Sequence, residues 1–484
     1  MPAEECQMPD FQNNIQFIHS LQNLDWFIIA VFAGFSILAI VQAERMKKKS
    51  KHFDWLDYLL MGRKLSLPLF VGSLVATWYG GIFGVTQIAF ESGIYNFLIQ
   101  GVFWYITYIL FAFFLVHKIS KYKSVTLAEL IGQEFGPKSQ KLAGVFNFFN
   151  VVPAVYTISL GILIESLTGI PFWIASSIGL IFVFLYASFG GFRAVVFTDM
   201  IQFVAMFVGV ACVFFLSISQ FGGLDYLMAK LPSTHFDLSS THGLGETLAW
   251  GFIALSTLVD PNFYQRVFAA KTPSVAKRGI LISTVFWFIF DIFTTFGAMY
   301  ARAAIPEAEP ANAYLVYALQ LLPLGLKGLF IAGIFACILS TLDSYVFTAS
   351  NTLLYDLLPK QAYKKKSLHK WGHLFVCSLA YFLAFSFQGN IKAIWKTLGS
   401  LSAACLLFPV LFQLFAKRKI SDLQFVVVSL SSAVLVSFWR NIDKPNLLQN
   451  IDELYLGILV SALGFLISLL WNLSQQADYQ EQKS

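Results

Sequence analysis

Charged residues are scarce in this sequence. Only 12% of its 484 residues are Asp, Glu, Lys or Arg, whereas about 25% is usual for soluble globular domains. Hydrophobic residues make up 57% of the chain, and the mean hydropathy is +0.67. The shortage of charge excludes an ordinary soluble domain and predicts an all-α protein that crosses a lipid bilayer many times.

Cysteine pairs and catalytic motifs are also missing. The five cysteines (Cys6, Cys212, Cys337, Cys377 and Cys405) contain no CxxC spacing, and all but Cys6 lie in predicted helices. This spacing argues against a cysteine metal site or a disulfide framework. The seven histidines form no HExxH motif, and no GxxxxGK[ST] motif for ATP is present. The sequence therefore predicts neither an enzyme nor an ATP-driven pump.

Long apolar stretches recur from one end of the chain to the other. Thirteen are long enough to cross a bilayer: 24–43, 65–91, 97–117, 140–165, 172–189, 194–220, 245–268, 278–301, 315–357, 370–389, 392–416, 421–439 and 453–473. The longest of them, 315–357, has room for a short outer helix before its span. The remaining loops are too short to hold a soluble domain.

Charge placement predicts the orientation of these spans. Acidic residues (Glu4, Glu5 and Asp10) precede the first stretch, the reverse of a secretory signal, so we expect a retained helix with its N-terminus outside. Most of the 33 Lys and Arg, including the runs at 45–51 and 360–366, then fall on the cytoplasmic side with the C-terminus. The basic runs are thus expected to orient a multi-pass protein in the plasma (bacterial inner) membrane, and no nucleic-acid partner is predicted.

The second apolar stretch contains a candidate helix break. It includes the segment SLVATWYGGIFG at 73–84, in which Gly80, Gly81 and Gly84 each weaken a helix by about 1 kcal/mol relative to Ala. Membrane transporters interrupt helices near the bilayer midplane so that bare backbone groups bind ions and solutes. The alternative is close helix packing, where small residues also collect.

A second unusual segment is ACILSTLDSY, at 336–345, which is apolar apart from Ser340, Thr341, Asp343 and Ser344. A carboxylate at the bilayer centre costs about 2.5–3.5 kcal/mol on the insertion scale. Cys337, Ser340, Thr341 and Ser344 share one helical face, and hydroxyl and carboxylate oxygens suit a small hard cation. The alternative is that Ser and Thr bond to carbonyls of their own helix.

Four stretches resemble the sodium/solute symporter family: DYLLMGR (57–63), GGFRAVVFTDMIQFVAMFVG (190–209), PNFYQRVFAAKT (261–272) and ACILSTLDSYVFTASNTLLYDLL (336–358). The resemblance extends from residue 57 to about residue 416. It implies a sodium-coupled secondary active symporter that imports a small organic solute by alternating access.

The resemblance also implies the architecture. The core is a LeuT-like set of ten helices, arranged as two inverted repeats of five. The first repeat would occupy 65–220 and the second 245–416. An additional helix and a basic loop, 1–64, would precede them, and two further helices with a short tail, 417–484, would follow.

The same resemblance implies a sodium site between the broken first core helix and the eighth core helix. Its ligands would be the carbonyls of Ala76, Tyr79 and Cys337 and the hydroxyls of Ser340 and Thr341. Some relatives have a second sodium site, which matches Asp199, Ser340, Asp343 and Ser344 here. For Asp199 a structural or gating role stays open.

The solute is less well defined. The segments ATWYGG (76–81) and LDS (342–344) resemble the choline-transporter branch, and Trp78 is suited to hold an organic cation by cation–π attraction. Candidate solute-binding residues are Trp78, Gly80, Gly81, Asp260 and Tyr264. Asp260, where that branch has a tryptophan, attracts an amine or caps the helix that starts at Pro261. Amino acids, carboxylates and other small solutes stay open.

Several alternatives remain at this point. A proton-coupled carrier would use Asp343 and Asp199, and a passive channel or a membrane sensor would need no coupling site. Asp291 is a buried acid within an apolar stretch and has no assigned role. Arg193 and Arg266 are expected at cytoplasmic helix ends, as topology anchors or as parts of an ionic gate.

Overall fold

The computed structural model describes residues 21–48, 55–188, 191–238, 242–359, 362–415, 420–442 and 452–481. Within these ranges the chain is helical and contains no strand, and its cysteines (Cys212, Cys337, Cys377 and Cys405) are free thiols. Cys6 and the acidic N-terminal residues lie outside the described residues.

Apart from short 3-10 turns, twenty helices follow one another in the described residues. The first ten are α1 (Asn23–Lys48), α2 (Trp55–Leu60), α3 (Leu67–Ala76), α4 (Ile82–Ser92), α5 (Phe97–Ile119), α6 (Leu127–Glu134), α7 (Pro137–Asn150), α8 (Ala154–Thr168), α9 (Phe172–Ala187) and α10 (Phe192–Phe221). The second ten are α11 (Leu224–Lys230), α12 (Gly243–Leu255), α13 (Pro261–Ala269), α14 (Pro273–Ala304), α15 (Ala313–Leu321), α16 (Leu326–Leu357), α17 (Lys366–Ser386), α18 (Ile391–Phe415), α19 (Asp422–Asn441) and α20 (Glu453–Glu481).

The thirteen predicted stretches all contain helix, but not all contain one continuous span. In the described part of the chain, nine helices are long and apolar enough to cross a membrane: α1, α5, α7 joined to α8, α10, α14, α16, α18, α19 and α20. The other four stretches hold the pair α3 and α4, the helix α9, the pair α12 and α13, and the helix α17. The expected short helix before the long span is α15. A count of thirteen uninterrupted spans is therefore not confirmed, because two of the predicted stretches are broken near their middle.

Helices α10 and α16 form the centre of the bundle. A Cβ atom added to Gly209 of α10 would stand 3.2 Å from the carbonyl oxygen of Leu329, and one added to Gly333 of α16 would stand 2.8 Å from that of Ala205. The two backbones touch because these positions carry no side chain. Helix α16 is thereby buried along most of its length, including the whole polar segment around Ser340.

Helix α1 packs on the outside of this centre. Many of its apolar side chains, such as Phe27, Ile37 and Leu38, are exposed on the protein surface, as expected for contact with lipid. Its Asp25 is fully buried and accepts hydrogen bonds from the backbone N–H groups of Gly325 (2.8 Å) and Gly328 (2.9 Å). The carboxylate thus caps the N-terminus of α16, where a negative charge is stabilised by the helix dipole.

The segment before α3 is tied to the end of α13. The backbone N–H of Leu65 donates to the carbonyl of Ala269, and the N–H of Lys271 donates to the carbonyl of Leu65, both at 3.0 Å. The preceding residues Met61, Gly62 and Arg63 all have positive φ, at 53°, 63° and 56°. This turn lies on the side of the bundle that the charge distribution predicts to be cytoplasmic.

Two arginines strengthen this closure. Arg63 donates to the carbonyls of Lys123 and Ser124, each at 2.9 Å, and to that of Phe268 at 3.3 Å. Arg193, at the start of α10, forms an ion pair with Asp57 of α2. The start of the first half and the end of α13, early in the second half, are therefore held together at one end of the bundle.

Candidate functional site

The break predicted in the second apolar stretch is present. Helix α3 ends at Ala76, α4 begins at Ile82, and Thr77–Gly81 between them are not helical. A Cβ atom added to Gly80 would stand 2.5 Å from the Cβ of Thr341 and 2.6 Å from the ring of Tyr156. Glycine is required here because the broken backbone lies directly against α16.

The two predicted hydroxyl ligands meet the free end of α3. The carbonyl oxygen of Ala76 is 2.7 Å from Ser340 Oγ and 3.4 Å from Thr341 Oγ1. The same hydroxyls lie 3.2 Å and 3.0 Å from the carbonyl oxygen of Cys337. Four of the five predicted sodium ligands are thus brought together, and all four residues are fully buried.

The alternative of bonding within the helix is also present, because Ser340 Oγ donates to the carbonyl of Ala336 in its own helix at 2.7 Å. The predicted fifth ligand differs, because the carbonyl of Tyr79 accepts a hydrogen bond from Ile82 N at 3.1 Å and starts α4. The side chain of Tyr79 donates to Asp291.

The oxygen spacing tests whether a cation of sodium's size fits. Ligands at 2.3–2.6 Å from such an ion stand about 3.3–3.7 Å apart when they are at right angles. The 3.4 Å separation between Thr341 Oγ1 and the Ala76 carbonyl oxygen lies within this range. The 2.7 Å contact of Ser340 with the same carbonyl is a hydrogen bond, which must lengthen to admit an ion. The 3.2 Å and 3.0 Å separations of Ser340 and Thr341 from the Cys337 carbonyl are also slightly short. The oxygen types suit sodium, and its entry requires these hydroxyls and the end of α3 to move apart.

Arg266 lies within the predicted second sodium site. The sequence did not predict this position of Arg266. It lies in the last turn of α13, near a helix end as expected, but its guanidinium is fully buried. One Nη atom lies 2.6 Å from Thr77 Oγ1, 3.1 Å from Ser344 Oγ and 3.7 Å from an oxygen of Asp199. The other contact of Asp199 is the hydroxyl of Ser73, at 2.6 Å.

The four residues named for the second site are therefore not gathered around one empty point. Ser340 belongs to the junction with Ala76, while Asp199 and Ser344 both contact the guanidinium of Arg266. Asp343 is also buried and contributes its negative charge to the surroundings of Arg266. A protein cation thus contacts two of the four residues, Asp199 and Ser344.

A cavity opens beside the break and is surrounded by aromatic rings. It encloses about 1090 Å³, counting its opening to solvent. Ten tyrosine and tryptophan residues line it: Trp78, Tyr79, Trp104, Tyr105, Tyr108, Tyr156, Trp250, Trp287, Tyr345 and Trp395. The lining also includes two carboxylates, Asp260 and Asp291, and no Lys, Arg or His.

The candidate solute ligands divide into two groups. Trp78, Gly81 and Asp260 lie on the cavity wall. Gly80 packs against Thr341 instead, and the buried Tyr264 donates to the carbonyl of Leu258 at 3.0 Å without lining the cavity. These two residues are placed behind the wall.

Asp260 closes a second break, between α12 and α13. One of its carboxylate oxygens accepts from the backbone N–H groups of Asn262 (2.8 Å) and Phe263 (3.2 Å). The capping alternative considered for Asp260 is therefore confirmed, and Pro261 follows it as the first helical residue. The same side chain faces the cavity, so capping and contact with a solute do not exclude each other.

The structure shows which residues surround Asp291, the acid without an assigned role. It lies midway along α14, and its two carboxylate oxygens accept hydrogen bonds from the hydroxyls of Tyr79 and Tyr105. An acid in an apolar helix was visible in the sequence, but its two partners come from other helices and could not be read from spacing.

Two ion pairs lie near the mouth of the cavity. Lys392 of α18 pairs with Glu91 of α4 at 2.6 Å, and Lys396 pairs with Glu246 of α12 at 3.2 Å. Between these lysines Trp395 turns inward onto the wall, against Gly81 and Gly84. The start of α18 therefore borders both halves of the opening.

Known proteins resemble this chain over most of its length. The profile of the sodium:solute symporter family matches residues 58–423. A sodium/pantothenate symporter of Haemophilus influenzae is 26% identical over 62% of this chain and 66% of its own length. A high-affinity proline transporter of Bacillus subtilis is 26% identical over 75% of this chain and 81% of its own. The match to a sodium/pantothenate symporter of Escherichia coli covers 56% of that protein, so the chain spans less than two thirds of both pantothenate symporters.

A solved structure shows the fold. A Na⁺-coupled sialic acid symporter, in a substrate-bound outward-open state, superposes with a TM-score of 0.76 at 16% identity. The superposition covers 93% of this chain and 98% of the symporter chain. The arrangement of helices is accordingly the LeuT-like inverted repeat.

Proposed function

The chain belongs to the sodium:solute symporter family, and from this premise we propose that it imports a small organic solute by sodium-coupled alternating access. Its family consists of transporters, which are not enzymes. The observation that carries the proposal is the contact of Ala76, at the end of α3, with the hydroxyls of Ser340 and Thr341.

Sodium at this contact would join two helices that otherwise share only weak hydrogen bonds. We assign it the carbonyls of Ala76 and Cys337 and the hydroxyls of Ser340 and Thr341, with the Tyr79 carbonyl as the fifth ligand once α4 shifts. An ion drives a conformational change only if its affinity differs between the two states. Moving α3 away from α16 would separate the ligands and release the ion.

The energy for uptake comes from the movement of charge. A cation that crosses a potential of 100 mV gains about 2.3 kcal/mol, and the sodium gradient adds to this. The bridge between Leu65 and Ala270 closes one end of the bundle. In our proposal this end is cytoplasmic, the N-terminus is outside, and the bridge opens when the solute is released into the cell.

Sodium is favoured over protons by the chemistry of the junction. The oxygens of Ala76, Cys337, Ser340 and Thr341 are carbonyls and hydroxyls, which do not take up a proton at neutral pH. Of the two acids that a proton-coupled carrier would use, Asp343 and Asp199, the second is already paired with Arg266. A second sodium ion between Asp199 and Ser344 would require that guanidinium to move.

For the solute we favour an organic cation. The cavity has two carboxylates, ten aromatic rings and no basic side chain in its lining. Aromatic faces attract cations, whereas an anionic solute would meet only negative charge. The pantothenate and sialic acid of the related proteins are carboxylates, so we expect a different solute class here.

The proposal is tested by uptake into proteoliposomes from a panel of labelled amines, amino acids, sugars and carboxylates, with and without an inward sodium gradient. The double variant Ser340→Ala/Thr341→Ala removes both hydroxyl ligands, and we expect its sodium-dependent uptake to be lost. The matched control is Ser429→Ala/Ser432→Ala, which removes two buried hydroxyls of α19. Uptake that is equal in potassium, or sodium dependence that survives in the first double variant, would contradict the proposal.

A further inference from the structure

Asp291 is a buried acid whose negative charge has no protein counter-ion among the described residues. Its side chain is almost completely buried, and its hydrogen-bond donors are two neutral hydroxyls, from Tyr79 and Tyr105. Burying a carboxylate costs several kcal/mol unless a cation or several N–H groups compensate it. The site is therefore incomplete without a positively charged partner.

Three other buried acids of the bundle are compensated. Asp199 pairs with the guanidinium of Arg266, Asp25 accepts from the backbone N–H groups at the start of α16, and Asp260 caps α13. In the part of the chain that the structure describes, Asp291 alone of these four combines a place on the cavity wall with partners that carry no N–H group. This difference separates Asp291 from acids with a purely structural role.

We propose that Asp291 binds the ammonium group of the transported solute. This assignment rests on the proposed function and adds the residue that recognises the solute's charge. A carboxylate has about four lone-pair positions, and the two tyrosine hydroxyls occupy only two of them. The N–H groups of an ammonium ion take the remaining ones, while its alkyl groups lie on Trp104, Tyr108 and Trp287, which line the same cavity.

The position of Tyr79 joins this charge to the sodium site. Tyr79 lies within the break, three residues after Ala76, and its hydroxyl holds Asp291. A solute bound to Asp291 thus favours one position of the break, the position that also sets the distance from Ala76 to Ser340 and Thr341. Solute and sodium then stabilise the same conformation, which is the condition for coupling.

The test uses purified protein in lipid nanodiscs and follows tryptophan fluorescence, because five tryptophans line the cavity. The probes are matched pairs that differ in charge: N,N-dimethylethanolamine and its neutral analogue 3-methyl-1-butanol, and butylamine and 1-butanol. We expect the ammonium member of a pair to bind at least about tenfold more tightly in sodium buffer, as for a charge-assisted hydrogen bond. Choline, which has no N–H group, should bind more weakly than N,N-dimethylethanolamine.

Asp291→Asn keeps the shape of the side chain and removes its charge. We expect this variant to lose the preference for the ammonium member and Asp291→Glu to retain part of it. Asp356→Asn is the matched control, because it makes the same change at a buried acid of α16 that bonds to Thr126 outside the cavity. That control should keep the full preference.

The outcomes separate this inference from the proposed function. If sodium still changes solute affinity but Asp291→Asn leaves the ammonium preference intact, the assignment of Asp291 is wrong and the symporter proposal stands. The assignment is also wrong if every probe cation fails to bind, or if Asp291→Asn changes only the pH dependence of uptake, as a proton site would. If sodium changes the affinity for no solute, the symporter proposal itself fails.

Discussion

The two helix breaks occupy comparable positions in the two halves of the molecule but are completed in different ways. The second break, Ser256–Asp260, is closed from within, because Asp260 caps α13 and Tyr264 bonds back to Leu258. The first break, Thr77–Gly81, has no side-chain cap of its own, and the carbonyl before it is met by Ser340 and Thr341 of another helix. We call the second break the fixed break, because its own residues complete it. We call the first the exchangeable break, because residues of α16 complete it and an ion could take their place.

Composition explains the difference. An Asp–Pro pair satisfies the first N–H groups of a helix and presets its backbone, so the second break is stable by itself. The first break contains Gly80 and Gly81 in place of capping residues, and a Cβ atom at either position would overlap a neighbouring side chain. Its backbone groups consequently depend on α16, and they are available to an ion.

The largest effect should come from Gly80→Ala, which brings a Cβ atom within 2.5 Å of Thr341. We expect sodium-driven uptake in proteoliposomes to fall by at least about tenfold, since overpacking of this kind costs about 1–3 kcal/mol at the junction itself. The control is Gly251→Ala in α12, where the added atom would lie 3.6 Å from Phe103, an ordinary contact. Normal uptake by Gly80→Ala would mean that the first break does not need its contact with α16.

A second effect concerns Arg266, which extends from α13 beside the fixed break to Thr77 in the exchangeable one. Arg266→Gln would leave Asp199 buried without its positive partner. Breaking a buried pair in this way should lower the free energy of unfolding by about 3–5 kcal/mol. We expect a lower thermal unfolding midpoint in detergent, with partial recovery in the double variant Arg266→Gln/Asp199→Asn. If the double variant is no more stable than Arg266→Gln alone, the loss of the Asp199–Arg266 pair is not the cause of the destabilisation.

The smallest effect should distinguish the caps. Asp260→Ala removes the cap of α13 and should lower the free energy of unfolding by about 1 kcal/mol, whereas Asp260→Asn keeps a capping oxygen and should change it by only a few tenths. Thermal unfolding of the two variants in the same detergent measures the difference. If both variants are destabilised equally, the charge of Asp260 matters more than its capping hydrogen bonds.

The sequence predicted the first break more clearly than the second, because only the first is marked by a local signal with a single interpretation. Clustered glycines are a local signal, and they lie where the first break is found. The second break depends on Asp260, whose alternatives of cap and solute ligand could not be separated without the fold. Within the apolar stretch 245–268, a helix start at the pair Asp260 and Pro261 was therefore only one of two open interpretations.

The sequence also predicted only part of the candidate site. Helical spacing placed Ser340 and Thr341 on one face, and the family resemblance paired them with Ala76. The buried position of Arg266 and the tyrosine partners of Asp291 arise from contacts between helices distant in the chain. No periodicity within one helix encodes such contacts, so they became visible only in three dimensions.

The turn at Met61–Arg63 has a consequence for the energy balance of the transport cycle. Its two non-glycine residues are held in a left-handed backbone conformation, which costs about 1–3 kcal/mol for each residue. The carbonyl contacts of Arg63 sustain this conformation while the bundle is shut at that end. If those contacts separate in the proposed transport cycle, the relaxing turn would return part of the free energy lost with them, and the open and closed ends would differ less in free energy than their contacts alone suggest.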